Sequence, residues 1–392
     1  MPPIRTPSTD FRRRPWTGLL AYFSRICLRV SNLSDQTRVD AISGEARGGD
    51  SHSPLIDVRD LRVEIHRDDT RVTPLHGVSM SIATGQSVGV VGESGCGKTM
   101  TAYSLLRLLP PGGRITAGQL LFRRKRDDRE VDLAQMDPKS RAMRAIRGGD
   151  ISIIFQEPMT AFSPVHTIRD QIGDMIHQHR NLPRRQRDDR VVELLELVGI
   201  PHAARRVDDY AFQLSGGMRQ RAMVAMALAS EPRLLIADEP TTALDVTVQA
   251  RVLKLIKSMQ EKFNLALMLI THDLGVVAHL VDYVYVMYLG QVVEKGPVRS
   301  IFHRPAHPYT RALLRSIPDL SGTKETIESI PGNVPAGSTP PSGCHFHPRC
   351  PEYLGEVCRE REPELLSVGV EHAAACLKHD TEVPQDGDNR EA

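Results

Sequence analysis

Gly92-Glu93-Ser94-Gly95-Cys96-Gly97-Lys98-Thr99 is a run whose residue types could do chemistry on phosphates. It fits the pattern G-x-x-x-x-G-K-[ST], in which glycines let successive backbone N–H groups turn inward toward an anion. Lys98 would neutralise β- and γ-phosphate oxygens, and the Thr99 hydroxyl would ligate Mg2+. An ordinary glycine-rich turn between strand and helix could carry the same eight residues, so a second set must decide. Leu234-Leu235-Ile236-Ala237-Asp238-Glu239 is an apolar run ending in two acids. Asp238 suits the water shell of a metal ion, and Glu239 suits an attacking water. Alone, two acids at a strand end more often open a solvated loop. Beside a phosphate cradle they complete a site for cleaving a nucleoside triphosphate.

A further run, Leu214-Ser215-Gly216-Gly217-Met218-Arg219-Gln220, precedes a helical stretch. Its plain reading is a serine-capped helix with a Gly-Gly turn. Its functional reading is a second anion receptor, because Ser215 and the N–H groups of Gly216 and Gly217 gather at a helix start.

These residues need rigid elements behind them. Ser87 to Val91, Ile151 to Phe155, Leu234 to Asp238 and Leu265 to Ile270 read as buried strands, short and continuously apolar as in a covered sheet. A helix over Gln249 to Phe263 places Val252, Leu255, Ile256, Met259 and Phe263 on one face. A helical section that includes Arg190 to Val198 is stopped by Gly199 and Pro201. The implied class is α/β.

The Leu214 to Gln220 run resembles the signature motif of ABC ATPases, and further landmarks of that family follow in its order. They are Gln156 in Phe155-Gln156-Glu157-Pro158, Asp245 in Ala243-Leu244-Asp245, and His272 in Thr271-His272-Asp273. The resemblance implies a P-loop NTPase cassette: a RecA-like core with a mainly parallel sheet, an antiparallel β subdomain and an inserted helical subdomain at about 158–230. It implies ATP and Mg2+, with Thr99, Gln156 and Asp238 around the metal and Glu239, Gln156 and His272 as catalytic residues. Asp245 would communicate across a dimer in which each ATP lies between one subunit's Gly92–Thr99 cradle and its partner's Ser215. Family members stack adenine on an aromatic residue roughly 25 positions before the cradle; here Val63-Glu64-Ile65-His66 offers only His66.

Met159-Thr160-Ala161-Phe162-Ser163-Pro164, His307-Pro308-Tyr309-Thr310 and Gly343-Cys344-His345-Phe346-His347-Pro348-Arg349-Cys350-Pro351 narrow the resemblance to the oligopeptide, dipeptide and nickel import branch. That branch implies two membrane permease subunits, a second cassette (identical or paralogous) and, indirectly, an extracytoplasmic solute-binding protein. It places the chain at the cytoplasmic face of the membrane as a peripheral subunit. Cargo recognition belongs to other subunits; peptides come first, nickel or another small solute behind.

Cys344, Cys350, Cys358 and Cys376 cluster with spacing C-x5-C-x7-C-x17-C. Structural zinc favours a pair two to four residues apart, which is missing here. Cys-Pro is a local pattern of iron–sulfur ligation, and some members of the branch carry a [4Fe-4S] cluster. That group is the first reading, with zinc or free thiols behind it.

Among 392 residues a quarter are charged and the formal net charge is +2, so nothing suggests global attraction to nucleic acid. No run of 18 apolar residues occurs, so no helix of the chain reads as crossing a bilayer. The expected organisation is a mobile N-terminal extension over 1–53, a nucleotide-binding domain over 54–318, a small Cys-rich domain over 319–380 and a tail over 381–392. The rival function, a soluble ABC ATPase of DNA repair or ribosomes, would usually show two cassettes, a long coiled coil or a strongly basic surface.

Overall fold

Alternation within the apolar strands decides the layering. In β3 (Ser87–Val91), Val88 and Val90 join one core while Val91 joins another. The same split recurs in β7 (Leu234–Asp238), with Leu234 and Ile236 against Leu235 and Ala237, and in β8 (Ala266–Ile270). Fully apolar strands are thus buried on both faces, as side chains of period two require in a covered sheet.

The computed structural model describes residues 54–67, 70–157, 161–242, 245–316, 330–335 and 340–382. The N-terminal extension over 1–53 lies outside the described residues, as does the Pro/Gly/Ser-rich stretch at 317–329 and 336–339.

One sheet has the order β11-β12-β10-β9-β3-β8-β7-β6. β6 (Ile151–Ile154), β7, β8, β3 and β9 (Tyr283–Tyr288) run parallel. β10 (Gln291–Pro297), β12 (His372–Ala374) and β11 (Leu366–Gly369) continue it antiparallel. A second, antiparallel sheet has the order β2-β1-β4-β5, built from β1 (Ile56–Arg67), β2 (Thr70–Ile82), β4 (Gly113–Arg123) and β5 (Glu130–Asp132). Its apolar residues and those of α1 (Lys98–Leu105) fill one core with Val88, Val90 and Ile236.

Helices fill the other core. α2 (Ile168–Arg180) begins at a capping box between Thr167 and Asp170, and α3 (Arg184–Leu197) ends before Gly199, whose φ is +77°. α4 (Gly216–Leu228) starts at Ser215 and buries Met223, Val224 and Ala227. α5 (Val246–Phe263) buries Val252, Ile256 and Met259, with Leu255 and Phe263 partly covered.

A separate Cys-rich domain is not confirmed. The C-terminal segment instead adds a hairpin to the edge of the main sheet, with Glu294 and Lys295 of β10 opposite Ala374 and Ala373 of β12. Buried Glu294 locks this edge by accepting from the Ala306 and His307 N–H groups and pairing with His372 Nε2 at 2.7 Å. Such a carboxylate is tolerable inside because every bond it needs is made.

Candidate active site

Val90, Ile270 and Asp238 lie level across β3, β8 and β7, and Ile154 of β6 pairs with Ala237. The next residues along these strands therefore leave the sheet side by side. They are the Gly92 loop, Thr271-His272, Glu239 and Phe155-Gln156. Crevices beyond the carboxyl ends of parallel strands are where open α/β sheets bind ligands.

In the loop, Gly95 has a φ of +79° and open space where a Cβ would sit, while a Cβ on Gly97, φ +101°, would meet the Pro74 carbonyl oxygen at 2.7 Å. One glycine keeps the cradle open and the other lets it lie against β2. Lys98 is buried, and its ammonium donates to the Gly92 and Glu93 carbonyls at 2.8 and 2.9 Å. It lies 3.8 Å from the Sγ of Cys96, whose thiol burial pushes up. Ser94 is exposed on the rim. Loop and α1 together present backbone N–H groups and the positive end of a helix to an anion.

Thr99 Oγ1 donates to Asp238 Oδ1 at 3.1 Å. Burial pushes the Asp238 carboxyl up to about 6 and the neighbouring Glu239 charge adds to it, against the Thr99 hydrogen bond and Lys98. Glu239 has a φ of +45°, a left-handed conformation that costs a residue with a side chain about 1–3 kcal/mol. That twist aims its carboxylate at three partners. Gln156 Nε2 donates to Oε2 at 3.1 Å, Thr242 Oγ1 donates to Oε2 at 3.0 Å, and His272 Nδ1 lies 3.2 Å from Oε1.

Ser215 and Gly216 are exposed, and Ser215 Oγ accepts from Met218 N–H at 3.4 Å. A Cβ on Gly216 would meet nothing within 4 Å, whereas one on Gly217 would meet Val248 Cγ1 at 2.9 Å. Asp245 caps α5, its Oδ1 accepting from the Thr247 and Val248 N–H groups at 3.0 Å. His66 Nε2 is 3.2 Å from Glu64 Oε2 and 2.9 Å from Arg114 Nη2.

The four C-terminal cysteines are free and line one cavity with His307, Phe346 and Leu377. Burial pushes the Cys344 and Cys350 thiols up to about 11 and about 12, and the facing thiols add to it. Among the described residues, no group of three or more His, Cys, Asp or Glu is gathered closely enough to hold a metal ion.

A model of the ABC transporter family matches residues 75–242, and a model of the oligopeptide/dipeptide transporter C-terminal region matches residues 293–358. The dipeptide transport ATP-binding protein DppD of Haemophilus influenzae is 44% identical over 315 residues, covering 80% of this chain and 93% of its own length. The chain belongs to the ATP-binding subunits of the oligopeptide/dipeptide ABC transporter family. The oligopeptide transport ATP-binding protein AppD of Bacillus subtilis is 43% identical, and a putative peptide import ATP-binding protein of Brucella ovis is 46% identical; each match covers 84% of this chain and 98% of the relative. The solved ATP-binding cassette MJ0796 is similar at a TM-score of 0.54 over 62% of this chain and 99% of its own, and at 23% identity it speaks for the fold. As a member of this ABC family the chain is an ATPase.

Two contacts of this ABC subunit escape motif reading. The Glu93 N–H donates to Tyr309 Oη at 2.9 Å, and the Arg349 guanidinium grips both Glu93 carboxylate oxygens at 2.8 and 3.1 Å. Tyr309 and Arg349 stand out in sequence only as marks of the import branch. Nothing in their spacing points back to a loop more than 200 residues earlier. Thr242, which donates to Glu239, is likewise missed, because its signal is a lone hydroxyl after the acidic strand end.

Proposed function

We propose that this subunit powers import of peptides across the cytoplasmic membrane, from its cytoplasmic face. Its partners would be a second cassette, identical or paralogous, and two permease subunits, with an extracytoplasmic binding protein delivering cargo. The peptide class rests on what the relatives' names say of them. Among the described residues no helix is long and apolar enough to cross a membrane, which agrees with a peripheral place. The rival soluble ATPase gains nothing from these relatives.

The observation that carries the reading is the gathering of the cradle, Asp238, Glu239, Gln156 and His272 at four adjacent strand ends. Glu239 would orient and deprotonate the attacking water, held in place by Gln156, Thr242 and His272. His272 would contact the γ-phosphate, and Lys98 would neutralise phosphate charge once it leaves its own loop carbonyls. Thr99 and Asp238, together with Gln156 at the next strand end, would offer the hard oxygen donors that suit Mg2+. Bound there, the ion would neutralise charge on the phosphates.

Open space beyond Gly216 supports a partner's triphosphate docking on the Ser215 helix start, and Asp245 would signal across that dimer from the start of α5. Binding would then favour the closed dimer over the open one and move the permeases between two forms. His66, held by Glu64 and Arg114, would take the adenine.

For the cysteine cavity, a four-iron cluster suits the donor set better than one zinc ion. Zinc sites favour a pair of ligands two to four residues apart, which the C-x5-C-x7-C-x17-C spacing lacks, whereas Cys350-Pro351 fits a local pattern of iron–sulfur ligation. Cys344, Cys350, Cys358 and Cys376 would hold the cluster, which would supply architecture or redox sensing.

The test is ATP-dependent uptake of a labelled dipeptide into liposomes holding the complete transporter, with Mg-ATP hydrolysis followed in parallel. Hydrolysis that a peptide-loaded binding protein stimulates supports the proposal. Magnesium-independent or permease-independent turnover would overturn it.

A further inference from the structure

Glu93 is an awkward residue for a phosphate loop, since its carboxylate stands beside a site built for three more negative groups. An unpaired like charge close to a bound anion weakens its binding. The structure meets this with groups from the far end of the chain. Arg349, 5% exposed in its side chain, places Nη1 and Nη2 on the two carboxylate oxygens. This parallel fork fixes direction as well as charge. Its Nε donates to the Pro331 carbonyl at 2.9 Å, and its guanidinium lies 5.9 Å from the Tyr288 ring centroid.

The Arg349 stem is itself docked. Phe346, three residues before it, is buried with its ring 5.2 Å from Tyr288 and 5.3 Å from Tyr309. Tyr309 Oη accepts the Glu93 N–H, and Lys98 takes the Glu93 carbonyl. All three polar groups of Glu93 are therefore held, while Gly95, two residues on, faces open space. The loop is anchored on one side and open on the other.

We propose that Arg349 is a positioning residue for ATP. It turns the Glu93 carboxylate away from the phosphates and neutralises it, so the segment bearing the cysteines is a working part of the nucleotide site. This rests on the reading of residues 92–99 as the ATP cradle. In this account the harm done by losing Arg349 is the bare carboxylate it leaves behind.

The experiment measures Mg-ATP affinity by calorimetry, together with KM and kcat, on the full chain carrying Arg349→Ala, Arg349→Lys, Glu93→Gln or both Arg349→Ala and Glu93→Gln. Arg349→Ala should weaken ATP binding about ten- to a hundredfold, within the usual range for a coupling between one site and another, and raise KM more than it lowers kcat. Arg349→Lys should fall between it and the wild type. The double variant should recover most of the lost affinity, because the offending charge is gone. Wild-type affinity in Arg349→Ala would overturn the proposal, as would a folded double variant as impaired as Arg349→Ala. Should Arg349→Ala not fold, Arg349→Gln against Arg349→Gln with Glu93→Gln makes the same comparison, because glutamine also leaves the carboxylate without a cation. A wild-type chain that binds no Mg-ATP would sink the cradle reading instead, a separate failure.

Discussion

Gln156 Nε2 donates to Glu239 Oε2 at 3.1 Å, although 83 positions separate the two residues. The bond forms because β6 and β7 are parallel neighbours in register, so both chains leave the sheet at one level. A glutamine on the neighbouring strand end thereby touches the carboxylate proposed as the base.

That carboxylate gives the first prediction. Glu239→Gln should keep ATP binding and lower kcat by about 10²- to 10⁴-fold, the usual range for a general base. Size-exclusion chromatography should show the variant held as an ATP-bound dimer. Turnover within tenfold of wild type would remove Glu239 from the role.

The two signature glycines should part company. Gly216 has room for a methyl group within its own subunit, so Gly216→Ala should leave stability unchanged or raise it by up to about 1 kcal/mol, the usual gain for alanine in a helix. It should nonetheless impair ATP-driven dimerisation. Gly217→Ala should lower the melting temperature, because the new methyl meets Val248 Cγ1 at 2.9 Å. Equal effects of both variants on folding, with dimerisation intact in Gly216→Ala, would count against a partner docking there.

His307 makes stability depend on acid. Burial first, then the Arg311 charge, depress its imidazole to about 3, and its Nδ1 must stay unprotonated to accept the Tyr309 N–H at 3.0 Å. An unfolded histidine titrates near 6.5, so between these values the unfolded chain binds the extra proton. Stability from this group is complete above about pH 6.5 and declines as pH falls, by up to about 1.4 kcal/mol per pH unit. His307→Asn keeps a helix cap without a titrating group and should flatten that slope between pH 6.5 and 5 in urea unfolding. An unchanged slope would assign the acid sensitivity elsewhere.

The cysteine cavity is tested by its contents. Protein purified without oxygen should carry iron and sulfide in equal amounts and a broad visible absorbance, both lost in Cys350→Ser. A single zinc per chain, or no metal at all, would reject the cluster.

Much of the cassette is readable from sequence because its signals are local. β3, β7 and the cradle are continuous runs, and each carries its own periodicity or glycine spacing. The ring around Glu239 is half readable: Gln156 and His272 follow strands, but Thr242 and the left-handed φ of Glu239 arise only when β7 meets its loop. The C-terminal segment is only partly readable: its Pro, Gly and Ser content suggests a boundary, and the pairing of β12 with β10 is a long-range bond that composition does not encode. Arg349 on Glu93 is invisible for the same reason. A salt bridge across 256 positions leaves no periodic trace.

That span has a temporal meaning. At about 5–20 residues per second a ribosome needs roughly 13–50 s to go from Glu93 to Arg349. Throughout this interval the nascent phosphate loop carries its glutamate without a cation to face it. Nucleotide capture would thus await the emergence of Arg349, and a chain broken off before that residue would be a poor competitor for cellular ATP.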